Sequence, residues 1–185
     1  MIDEYNPRAR RDPFGSKINR DHSPVIASSL PWVTIMLGSL CPMLPIIPPA
    51  PLFPPAGFMM LLGWRLVRPG LLPPWAGCLL GAFDDLFSGQ PFGCAILLWS
   101  LSLLAIEALE TRFPWRGFMQ DWLVAALLIA AYLVSGAILA GNGSAAERIV
   151  ALPPQLLLSV LLFPIFGRMV STLDRFRLRR FRTVR

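Results

Sequence analysis

The chain has 185 residues, of which 55% are hydrophobic and 15% charged, and its mean hydropathy is +0.57; this excludes an ordinary soluble domain of that length and points to an all-α integral membrane protein. The formal net charge of +6 is carried by arginine, with Lys17 the only lysine, and it gathers at the two ends, where it bears on membrane orientation and not on nucleic acid. Cys41, Cys78 and Cys94 lack a CxxC spacing and have only His22 as a possible imidazole partner, so neither a metal site, a cofactor nor a disulfide framework is indicated.

Residues 1–24 carry Arg8, Arg10, Arg11, Lys17 and Arg20 against Asp3, Glu4, Asp12 and Asp21, with Pro7, Pro13 and Gly15 breaking any helix. They read as a basic cytoplasmic arm and not as a removable leader. The first apolar run, 25–44, has the length to cross a hydrocarbon layer of about 30 Å, although Pro31 and Pro42 should bend or shorten it. Pro45, Pro48, Pro49, Pro51, Pro54 and Pro55 then exclude a helix, so this stretch must run extended against protein or water. Residues 56–67 form a second span, only about 18 Å long at ~1.5 Å per residue, with Arg65 and Arg68 at its far end.

Pro69 and Gly70 turn the chain into a third span, 71–87, and residues 88–91 turn it again into a fourth, 92–109. Spans five and six are expected at 122–139 and 152–170, separated by the break at Gly141 to Ser144. Residues 171–185 form a basic cytoplasmic tail, in which Arg175, Arg177, Arg179, Arg180 and Arg182 are expected to face anionic lipid or a partner. The expected organisation is therefore an arm over 1–24, a six-span membrane domain over 25–170 and a tail over 171–185. With the amino terminus cytoplasmic, six spans place every lysine and arginine except Arg148 on the inside. Four spans would also keep both ends inside, but they leave the uncharged turn at 88–91 without a reason.

Two adjacent aspartates, Asp84 and Asp85, close the third span, where an unpaired carboxylate is costly. Gly77, Gly81 and Asp85 are spaced by four and share one stripe of the helix. One reading is a helix contact, with Asp85 capping or hydrogen-bonding a neighbouring backbone; the other is a ligand or catalytic carboxylate. Solvation near a span end favours the first. Asp84 points about 100° away from Asp85, so the two do not form an acid/base pair on an unbroken helix.

No catalytic set is visible. His22 lies in the arm, no serine or cysteine sits in a nucleophile elbow, and neither a Walker loop nor a dinucleotide fingerprint is present, so no enzyme is expected. Glu107 and Glu110 read as an interfacial acidic patch paired with Arg112, and the six tryptophans as belt or packing residues.

The segment from Trp64 to Gly70, then Pro74-Trp75, then GAFDDLFSGQPFG, with Gly81, Asp85, Gly89, Pro91 and Gly93 as its strongest points, resembles the core signature of the rod shape-determining MreD family. In that pattern a single aspartate is usual, so Asp85 carries over and Asp84 is an addition. The resemblance implies a non-enzymatic protein of the bacterial inner membrane that binds MreC and supports peptidoglycan synthesis. It would help couple RodA and its class B penicillin-binding partner to MreB. It also implies a six-helix fold similar to the substrate-binding subunits of energy-coupling-factor transporters. A vitamin-binding subunit is accordingly the alternative function, and it would need polar residues converging on a pocket near the outer face.

Overall fold

The computed structural model describes residues 20–22, 24–43, 53–89, 91–112, 117–139, 149–177 and 180–183. Six α-helices make up most of these: α1 (Pro24–Ser39), α2 (Ala56–Val67), α3 (Ala76–Phe87), α4 (Cys94–Arg112), α5 (Phe118–Leu139) and α6 (Pro153–Arg177). Two short strands, β1 (Arg20–His22) and β2 (Arg180–Thr183), pair antiparallel beyond the helices and join the two ends of the chain. The proline run at 44–52, most of the arm, the break at Gly141 to Ser144 and Arg179 lie outside the described residues.

Three helices, α4, α5 and α6, are long and apolar enough to cross a membrane. Of the other three, α2 has the expected bounds, and α1 and α3 are shorter than the sequence suggests. Pro42 falls in a short 3-10 turn (Cys41–Met43), so α1 stops at Ser39. The third span begins as a non-helical stretch, and α3 starts only at Ala76, because Pro73 and Pro74 cannot donate to a helical ladder. In compensation, α6 runs on to Arg177, seven residues past the expected limit at 170.

α2 explains how so short a helix is accommodated. Every residue from Ala56 to Leu66 is buried. A helix apolar on all faces belongs in an interior, and here contacts pass from α1 to α3, α4, α5, α6 and back to α1, while α2 touches α1, α4, α5 and α6. Five helices therefore enclose a sixth. Enclosed by protein, α2 has no need to match the bilayer thickness. Phe58 anchors it, stacking on Tyr132 of α5 at 4.5 Å between ring centroids and lying 6.0 Å from Trp99 of α4. At its start Gly57 meets Gly38 of α1, where a Cβ on Gly38 would lie 2.9 Å from Gly57 Cα.

The two ends of the bundle differ in chemistry. One gathers the last turns of α2, α4 and α6, where Arg65 pairs with Glu110 at 2.9 Å. Arg68 and Arg177 both hold Asp174, at 3.0 and 2.8 Å. Arg177 also lies over the Trp64 ring, 5.7 Å from its centroid. Glu110 thus pairs across helices with Arg65, not locally with Arg112 as expected. The partner is chosen by burial: Arg65 is 4% exposed and needs a carboxylate, whereas Arg112 is exposed. The opposite end carries Ser39, Asp84, Asp85, Tyr132 and Gln155.

Candidate functional site

The hairpin of α3 and α4 carries the features that the sequence singles out. Gly77 and Gly81 form the contact stripe of α3. A Cβ on Gly77 would lie 2.9 Å from Ser100 N and Cα, and one on Gly81 would lie 2.7 Å from Ala95 O and 2.8 Å from Ile96 Cα. The two backbones therefore touch, which only residues without a side chain permit.

Asp85, on the same stripe and 6% exposed, reaches the first turn of α4. Its Oδ1 accepts from Ala95 N at 2.8 Å, and its Oδ2 accepts from Gly93 N at 2.8 Å and Ile96 N at 3.3 Å. The start of α4 has no Ser, Thr, Asp or Asn to serve as its own N-cap, so those amides would be orphaned at membrane depth. Cys94 N donates to Pro91 O and Leu97 N to Gly93 O, which completes the account of the first turn. Asp85 is thus a helix cap supplied from the neighbouring helix, with its negative charge at the positive end of the α4 dipole. Gly89 and Gly93, at φ +68° and +99°, provide the left-handed backbone that brings the chain round to that carboxylate. Pro91 is exposed in the turn.

Asp84 faces elsewhere. It is 7% exposed and is turned toward the Ser39 and Tyr132 hydroxyls, at one side of a cavity of about 220 Å³. Ser88 and Gln155 complete the polar lining, and Phe58 and Leu133 contribute apolar walls. Gln155 Nε2 donates to Phe53 O at 2.6 Å, holding the segment before α2 against α6. Among the described residues, none of those lining the cavity is basic. This grouping was not foreseen: Ser39, Asp84, Tyr132 and Gln155 come from four helices, and although Ser39, Asp84 and Gln155 interrupt apolar runs near the ends of their spans, Tyr132 lies mid-span and carries no such signal.

The basic residues divide. Arg175 is exposed. Arg177 is not: it is 7% exposed, bound to Asp174 and stacked on Trp64, because α6 continues past residue 170 and carries it into the bundle end. Arg180 and Arg182 fall in β2, opposite His22 and Asp21.

The family model described as rod shape-determining protein MreD matches residues 25–176. No curated protein and no solved structure matches.

Proposed function

The chain belongs to the MreD family of rod shape-determining proteins, and from that premise we propose that it is a non-enzymatic scaffold of the bacterial inner membrane that binds an MreC partner and supports peptidoglycan synthesis during elongation. Family membership over most of the chain carries this reading. RodA, a class B penicillin-binding protein and MreB would meet it within the same complex. The geometry is compatible with a scaffold: Gly77, Gly81 and Asp85 are all spent on holding α3 to α4, and so build a rigid hairpin instead of presenting reactive groups.

We propose that both ends of the chain are cytoplasmic. The pairing of β1 with β2 supports this, since two ends that touch must lie on one side of the membrane. The arginine-rich bundle end then faces inward, in keeping with the excess of basic residues in cytoplasmic loops. A reporter fused after Leu139 should read outside and one after Val170 inside; the reverse would break this orientation.

The test of function is purification of the full chain with a co-expressed MreC-like protein in nanodiscs, beside depletion of the chain in a rod-shaped host. A stable complex and rounded cells are expected. Failure to co-purify together with unchanged cell shape would overturn the proposal. The vitamin-binding alternative is favoured by one observation, the polar cavity at the bundle end opposite the arginine-rich one. Tight vitamin binding by the purified protein would select it.

A further inference from the structure

The cavity beside Asp84 has a composition that the hairpin does not explain. Asp85 is saturated by three backbone amides, whereas Asp84, one residue on and about 100° around the helix, serves no helix start. A carboxylate taken out of water is costly unless a cation or several donors meet it. Among the described residues the lining supplies hydroxyls from Ser39, Ser88 and Tyr132, and no basic side chain. Ser39 Oγ, fully buried at the cavity, turns its hydroxyl toward Asp84, which leaves its oxygen lone pairs to accept. Around these groups the walls are apolar: Phe58, Leu133 and the prolines that precede α2.

We propose that this cavity binds a primary ammonium group, with Asp84 as its counter-ion and the Ser39 and Tyr132 oxygens as further acceptors. The chemistry selects that class. A primary ammonium brings one positive charge and three N–H donors. The cavity offers one carboxylate and hydroxyl oxygens that can accept. A quaternary ammonium would match the charge but bring no N–H donor to these oxygens, and an anion would meet the carboxylate with no base beside it among the described residues. The volume of about 220 Å³ fits a small amine or the end of a lipid headgroup rather than a large ligand. The site lies at the end of the bundle, where either a lipid headgroup or a free amine from the surrounding water can reach it. It is distinct from the assembly role, which rests on family membership.

The experiment uses the full chain in phosphatidylglycerol nanodiscs, with thermal melting and native mass spectrometry as readouts. Short-chain phosphatidylethanolamine, the phosphatidylcholine of the same chain length and free ethanolamine are titrated separately. Saturable binding of phosphatidylethanolamine at least tenfold tighter than of phosphatidylcholine identifies a lipid headgroup; equal stabilisation by free ethanolamine identifies a soluble amine. Either result supports the site, provided that Asp84→Asn weakens the binding at least tenfold. Ser39→Ala and Tyr132→Phe, which keep the apolar packing, should each weaken it severalfold, and they decide the matter if Asp84→Asn does not fold. Indifference to all three probes, or unchanged binding in these variants, would overturn the proposal.

Discussion

Asp85→Ala is expected to lower the stability of the purified protein by roughly 3 kcal/mol or more, since it removes three hydrogen bonds to an ionised acceptor and strands three amides where water is scarce. At about 2–4 °C per kcal/mol, the melting midpoint in detergent should fall by roughly 6–12 °C. Asp85→Asn should fall between the native chain and Asp85→Ala, because its NH₂ group turns a donor toward amides that are themselves donors. Asp84→Ala should cost much less, since no backbone amide among the described residues donates to its carboxylate. Heating followed by size exclusion measures all three. Equal tolerance of Asp84→Ala and Asp85→Ala would show that the cap adds nothing and that this stretch is only an anchor.

Gly81→Ala gives the second large effect, and its sign runs against helix propensity. In an open helical position alanine is better than glycine by about 1 kcal/mol. At Gly81 the new methyl would sit 2.7 Å from Ala95 O and 2.8 Å from Ile96 Cα, and backbone cannot give way as a flexible side chain can. The α3–α4 hairpin must open, and the bonds of Asp85 on the same stripe lengthen with it, so we expect a loss of roughly 3 kcal/mol or more. Gly167→Ala is the matched control: nothing lies within 4 Å of a Cβ there, so it should be neutral or mildly stabilising. If Gly81→Ala melts like Gly167→Ala, the two backbones are not in contact as described.

What the sequence revealed and what it hid follow from the reach of the forces involved. Residues 56–67 were legible to the residue, because prolines precede the helix and Arg68-Pro69-Gly70 ends it. The contact stripe of Gly77, Gly81 and Asp85 was legible because it lies on one helix with a fixed period. The choice between a cap and a ligand for Asp85 was not, since the amides that decide it belong to α4. The ends of α1, α3 and α6 were misplaced for the same reason: apolar content marks what may enter a bilayer, not where the helical ladder begins or stops. Arg177 looked like a tail residue until Trp64 and Asp174 supplied its surroundings from 113 and three positions away. Long-range partners of this kind leave no local pattern.

The enclosure of α2 also constrains biogenesis. Released alone into a bilayer, a helix of about 18 Å carrying Arg65 would be too short and too polar to stay. Its shelter is assembled from sequence on both sides, and the last wall is α6, where Val170 lies against Gly63. The ribosome therefore makes the central helix well before α6, the neighbour that completes its shelter. Until α6 arrives, the growing chain depends on the insertion machinery to shield an unfinished core, so a break before α6 is more damaging than its position near the end of the chain suggests.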